Sequence, residues 1–231
     1  MQTTKKDIRT LSKEDLRNFF VSQGDKSFRG NQVYEWLWSK GAHHFDDMTN
    51  LSKETRNMLE AHFVINHIKV DTMQHSNDGT IKNAVRLHDG LVVESVLIPT
   101  ETRTTACVSS QVGCSLDCNF CATARLKRMR NLAPDEIYDQ VVAIDQESRL
   151  YHNRPLSNIV FMGMGEPLMN YNNVMKAIDM ITSDEGLGMS PKRITVSTSG
   201  VSKMIKKMAD DEVKFKLAVS LHSAVEEIRN H

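Results

Sequence analysis

A chain of 231 residues can bury a sizeable core, as one large domain or as a small domain joined to a larger one. No run approaches the roughly 20 apolar residues of a membrane-spanning helix, and the start, MQTTKKDIRT, has no apolar stretch of the signal-peptide kind, which argues against a membrane and for the cytoplasm. Basic and acidic residues balance at 29 each, so charge alone neither supports nor excludes a nucleic-acid partner; what matters is where the basic residues lie. Four cysteines gathered in one region without a secretory signal fit a reducing compartment better than a disulfide scaffold.

Residues 1–65 read as a small helical bundle. Ser12 followed three residues later by Asp15 has the form of a capping box, Leu16, Phe19 and Phe20 fall at helical spacing, and Gly24 can end the helix. A second helix from about Asn31 carries Val33, Trp36 and Leu37, and Ser52 opens a third with Met58 and Leu59. Lys5, Lys6, Lys13, Arg17, Lys26, Arg29 and Lys40 suit either RNA phosphates or a solvated face. Over 66–100 the period changes to that of strands at 67–74, 81–88 and 91–98, separated by the turn pairs Asp78-Gly79 and Asp89-Gly90, which predicts a β-hairpin linker region. Glu94 interrupts the last apolar run, and the pattern favours a solvent-facing carboxylate.

From 101 to 231 strand and helix alternate: strands at 104–109, 157–162, 193–198 and 215–222, helices at 134–150, 172–183 and 201–210. Such alternation predicts parallel strands with helical crossovers, and ligands bind beyond the C-terminal ends of those strands. The first strand runs into CSLDCNFC, with Cys114, Cys118 and Cys121 in one short loop. Three thiolates can hold a 4Fe-4S cube while leaving one iron open to a small chelating molecule. The competing readings are a zinc site completed by Cys107 and unligated buried thiols. The second strand runs into Gly163-Met164-Gly165-Glu166-Pro167, where glycines allow close backbone approach to a ligand and a carboxylate can accept from an ammonium group. Ser197 to Gly200 and Ser220 to His222 end the later strands, where hydroxyls bind ligand oxygens or, more commonly, cap the next helix. Arg125-Leu126-Lys127-Arg128-Met129-Arg130, just after the cysteines, suits a polyanion or an exposed loop.

Together these motifs closely resemble the radical S-adenosylmethionine (SAM) superfamily and, within it, the RlmN family of RNA adenine-C2 methyltransferases. The resemblance runs from about Leu16 to the end of the chain and is most specific from Cys107 to Asn170. It implies a partial radical-SAM (β/α) barrel of the α/β class behind an RNA-binding helical domain. It further implies a 4Fe-4S cluster on Cys114, Cys118 and Cys121, and SAM held by Gly165 and Glu166 at its methionine end and by Ser197, Ser220, Leu221 and His222 near its nucleoside. The implied substrates are 23S rRNA and certain tRNAs, with an electron donor such as flavodoxin and a monomeric state. In the implied reaction one SAM methylates a cysteine near the C-terminus, a second SAM gives the radical that activates that methyl group, and the methyl carbon adds to the base. Glu94 matches the family's proton acceptor, a role suited to a carboxylate in an apolar cleft. Cys107 matches the cysteine that resolves the protein-RNA crosslink by forming a disulfide. The target base has to leave its stack.

Two departures stand out. The chain stops at His231, early in the helix after the fourth strand, and so reads as C-terminally truncated, without the methyl-carrying cysteine. Ala124 replaces a common glycine in a loop more basic than usual. The sister Cfr family, which methylates C8, is the nearest alternative, and Gln111-Val112-Gly113 favours C2; a truncated, non-catalytic RNA-binding fragment is the alternative of another class.

Overall fold

A computed structural model describes residues 5–229 and divides into two compact units, one comprising the residues up to His67 with Ser183–Gly188, the other Ile68–Thr182 with the residues from Met189 on. In the first unit two-residue strands β1 (Lys6–Asp7) and β2 (Phe63–Val64) pair in parallel and bracket three helices, α1 (Lys13–Ser22), α2 (Phe28–Trp38) and α3 (Lys53–His62). The capping box at α1 forms as the sequence predicts: the Asp15 N–H donates to Ser12 Oγ (3.1 Å) and the Ser12 N–H to the Asp15 carboxylate (2.9 Å). Ile8, Leu16, Phe20, Val33, Leu37 and Leu59 form the core of this unit. Several of its basic residues are engaged inside it. Arg17 Nε donates to Asn31 (2.7 Å), Lys40 pairs with Glu35 (2.9 Å) and lies over the Trp36 ring, and Lys13 pairs with Glu185. That favours a paired surface over a free cationic one at those positions.

The second unit is built on one sheet in the order β11-β10-β9-β6-β5-β4-β3. Its strands are β3 (Lys69–His75), β4 (Ile81–Arg86), β5 (Val92–Pro99), β6 (Thr104–Cys107), β9 (Asn158–Phe161), β10 (Ile194–Thr198) and β11 (Lys216–Val219). The last four are parallel, with α4 (Pro134–His152), α5 (Tyr171–Thr182) and α6 (Ser202–Asp210) as crossovers, and a short α7 (Glu226–Arg229) follows. This is the α/β, partial-barrel architecture expected. The hairpin region of 66–100 is not a separate linker, however. β5 pairs antiparallel with β6 (Val96 opposite Cys107), so the meander extends the same sheet. The strands pair through a tight turn in which the Thr100 N–H donates to the Arg103 carbonyl (2.7 Å), a partnership that strand periodicity by itself does not specify.

Alternation sorts the faces. Val93 and Leu97 of β5 and Ala106 of β6 are buried where α4 packs, against Ile137, Val141 and Ile144. Their alternates, Glu94, Val96 and Cys107, face the other way. No helix among the described residues is long and apolar enough to cross a membrane.

Candidate active site

Paired residues in a sheet share a face, so register gives the site its frame. One row runs across the strands through Lys82, Val96, Cys107, Val160, Thr195 and Lys216. Glu94 lies two residues from Val96 on the same face, one step toward the C-terminal ends of the parallel strands. Cys107 is the last residue of β6. Glu94 and Cys107 are thus diagonal neighbours.

The cysteine loop grows from a neck that the sequence pattern did not reveal. Two-residue strands β7 (Gln111–Val112) and β8 (Arg130–Asn131) pair antiparallel, and the loop between them is closed by Met129 N–H to the Val112 carbonyl (2.9 Å) and Cys114 N–H to the Leu126 carbonyl (3.3 Å). The partly exposed Cys114, Cys118 and Cys121 share a cleft of about 400 Å³ with Phe120, Gly165, Glu166, Ser197 and Ser220. Burial first, then the neighbouring Cys121, Cys114 and Glu166, push the Cys118 thiol above its ordinary range, which marks how closely these groups gather.

Gly165 has φ +92°, and a Cβ there would lie 2.5 Å from Gln111 Cβ. The glycine therefore admits the close approach of Gln111 while also lining the cleft, where the sequence suggested approach to a ligand. Glu166 is buried, donates its N–H to Gln111 Oε1 (3.0 Å), and accepts from the Leu168 N–H (3.1 Å) and the Ser199 N–H (2.8 Å). Gln111 in turn donates to Asn131 Oδ1 (2.8 Å), tying the glycine turn to the neck of the cysteine loop.

Ser197 and Ser220 do not cap helices. Their hydroxyls meet at 3.3 Å on the cleft side, while Thr198 Oγ1 accepts the Gly200 N–H (3.1 Å). His222 has φ +62° and stacks on Phe120 with ring centroids 4.5 Å apart, beside a half-exposed Leu221. Cys107 is nearly buried; burial pushes its thiol up, opposed by a hydrogen bond from the Met162 backbone. All four cysteines are free.

Glu94 departs from both sequence-based readings. Its side chain is half exposed, so the apolar cleft is not there, yet it is not simply solvated either: Lys82 Nζ lies 2.6 Å from Oε1. Its main chain is fixed by groups the sequence did not single out. The Glu94 N–H points to Met164 Sδ (3.3 Å), Ser109 Oγ donates to the Glu94 carbonyl (2.5 Å), and the same hydroxyl accepts the Met164 N–H (2.8 Å). Met164, the residue between the glycines, is thus a tether to β5.

The basic loop divides in two. Arg130 forms a bidentate pair with the buried Glu136 (2.7 and 2.8 Å) and reaches Asp89 (2.6 Å), whereas Arg125, Lys127 and Arg128 are exposed. Arg130 is a structural ion, not one of four free cations.

A parallel βα sheet carrying a three-cysteine loop and a glycine-glutamate turn at its strand ends defines a radical SAM fold, and the chain belongs to the radical SAM superfamily, whose family model matches residues 108–231. A second model, the ribosomal RNA large subunit methyltransferase N-terminal domain, matches residues 6–65. The chain is 87% identical over 230 residues to the probable dual-specificity RNA methyltransferase RlmN of Flavobacterium psychrophilum, covering 100% of this chain and 66% of that protein. To the dual-specificity RNA methyltransferase RlmN of Syntrophus aciditrophicus it is 44% identical, covering 100% of this chain and 65% of that one. A crystal structure of a radical SAM methyltransferase from Sphaerobacter thermophilus superposes with a TM-score of 0.87 at 37% identity, over 97% of this chain and 66% of that chain. The resemblance to RlmN is therefore borne out, and the chain spans about two thirds of the length of these relatives.

The superfamily's cofactors are a 4Fe-4S cluster and SAM, and the donors suit the cluster. Three thiols open onto one cleft, the donor set that holds a cube with one iron left open. A cube takes each thiolate on a different iron, unlike tetrahedral zinc.

Proposed function

We propose that this chain forms the body of a radical SAM methyltransferase that methylates C2 of adenine in 23S rRNA and in certain tRNAs, working in the cytoplasm as a monomer with a flavodoxin-like electron donor. The observation that carries the reading is the juxtaposition of Glu94 and Cys107 on one sheet face, beside a cleft lined by three cysteines and the Gly165-Glu166 turn. Cys114, Cys118 and Cys121 hold the cluster. When bound, the cluster and SAM supply the radical that activates a methyl group on a cysteine outside these 231 residues.

The rest falls to the chain's own side chains. The Glu166 carboxylate has used one backbone N–H per oxygen and keeps lone pairs for the SAM ammonium, with Gly165 beside it. The paired hydroxyls of Ser197 and Ser220 suit ribose oxygens, and Leu221 and His222 flank the nucleoside. Once the methyl carbon is bonded to adenine C2, Glu94 takes the C2 proton, and the adduct's unpaired electron would pass to the bound cluster, which gave one up when SAM was cleaved. Cys107, as thiolate, then attacks the sulfur of the methyl-carrying cysteine. The S–S bond forms, the S–C bond breaks, and its electron pair stays on carbon, which takes a proton. Burial raises the pKa of the Cys107 thiol, so its proton leaves as the S–S bond forms and can supply the one that the carbon takes. Residues 6–65 act as the RNA-binding accessory domain, in keeping with the family model matched there. Arg125, Lys127 and Arg128 meet phosphates at the mouth of the site.

The test is anaerobic reconstitution of the full-length protein, wild type and Cys118→Ala, followed by incubation with SAM, reductant, and 23S rRNA or tRNA, and chromatography of the digested nucleosides. About four irons per chain and 2-methyladenosine from wild type alone are expected. Stoichiometric zinc, or 8-methyladenosine as the product, would overturn the reading.

A further inference from the structure

We propose that Lys82 is a positioning residue for the Glu94 carboxylate, holding it on the sheet face beside Cys107 for proton transfer. The inference rests on Glu94 being the proton acceptor, as proposed above.

The argument starts where the strand pairing stops. β6 ends at Cys107, opposite Val96, so the edge of β5 at Glu94 faces loops. There the main chain is fixed twice over, by the Glu94 N–H to Met164 Sδ (3.3 Å) and by Ser109 Oγ to the Glu94 carbonyl (2.5 Å). Its other edge is held by β4, with Ala84 opposite. Nothing comparable fixes the side chain. It is half exposed, and among the described residues its carboxylate pairs with Lys82 Nζ, at 2.6 Å. Lys82 has the same face and the diagonal position, because it pairs with Val96.

A half-exposed ion pair contributes little to stability. Its worth here is orientation. A glutamate with free rotamers has to be aligned at each turnover, and loss of alignment at a reacting group costs about 10- to 100-fold in rate. An ammonium on the neighbouring strand removes part of that freedom in advance.

The experiment uses the full-length holoenzyme with a 23S rRNA fragment, comparing wild type, Lys82→Met, Lys82→Arg, Glu94→Gln and the Lys82→Met/Glu94→Gln double variant. Melting curves check that each is folded, and Lys82→Met should melt within about 2 °C of wild type, as a surface change does. Lys82→Met should lower kcat about 10-fold with KM within about twofold, and protein-RNA adduct should accumulate on denaturing gels; Lys82→Arg should recover most of the rate. The double variant should be no slower than Glu94→Gln, because the lysine acts through the carboxylate. Three results overturn the inference: a Lys82→Met enzyme with normal kcat, losses that multiply in the double variant, or a raised KM with a shallower salt dependence, which would make Lys82 a phosphate contact. A fully active Glu94→Gln enzyme would refute the proton-acceptor assignment itself, and with it the role of Lys82.

Discussion

Replacing Gly165 by alanine tests whether the glycine turn is held by its own protein surroundings. Two costs add. An alanine at φ +92° sits in a backbone region that costs about 1–2 kcal/mol for an L-residue. Its Cβ would also lie 2.5 Å from Gln111 Cβ and 2.9 Å from the Gln111 backbone nitrogen, so something must shift, which for overpacked sites costs about 1–3 kcal/mol. The sum is about 2–5 kcal/mol. Gly90 provides the control, since it has φ +84° with nothing within 4 Å of an added Cβ; Gly90→Ala carries the strain alone, about 1–2 kcal/mol. At about 2–4 °C per kcal/mol for a unit of this size, Gly165→Ala should lower the melting temperature by roughly 5–15 °C and Gly90→Ala by no more than about half of that. The assay is thermal and urea unfolding followed by circular dichroism, with the slope of the urea transition checked for constancy. Equal losses in the two variants would refute the reasoning, because the approach to Gln111 would then cost nothing.

The division within the basic loop makes a paired prediction. Arg130→Met leaves the buried Glu136 without its bidentate partner and should destabilise the fold by about 3 kcal/mol, read from urea midpoints. Arg128→Ala should change stability by less than about 0.5 kcal/mol but lower the salt dependence of RNA binding by about one counterion; similar stability losses in both would contradict the assignment. For Cys107, burial disfavours the thiolate, so its folded pKa lies above the unfolded value of about 8.5. The stability tied to the neutral thiol is complete below that unfolded value and is lost as pH rises through the folded one. Between about pH 8 and pH 10, wild type should therefore lose stability more steeply than Cys107→Ala in urea titrations; parallel curves would remove burial of the thiol as the cause.

Much of the fold was legible because its signals are local. The Ser12-Asp15 box fixed the start of α1, Pro134 and the apolar period fixed α4, and the strand-helix alternation after Pro99 predicted parallel strands with helical crossovers. The cysteine triplet was equally plain, since three thiols spaced within eight residues share a loop whatever surrounds them. Side-chain partners were not legible. The spacing that put Arg130 in a run of four cations could not reveal Asp89 and Glu136, and the approach of Gln111 to Gly165 was hidden because Gln111 lies far back in the chain.

Composition and spacing by themselves determined the element types and the gathering of three thiols in one loop, and the resemblance of the motifs supplied the superfamily. Only the tertiary structure decided that the meander joins the barrel sheet, that β7 and β8 form a neck under the cysteine loop, and that Lys82 stands against Glu94 beside Cys107. The physical reason is register. Periodicity tells which face of a strand a residue occupies, but which strand lies next to it, and at what offset, is set by packing over the whole sheet.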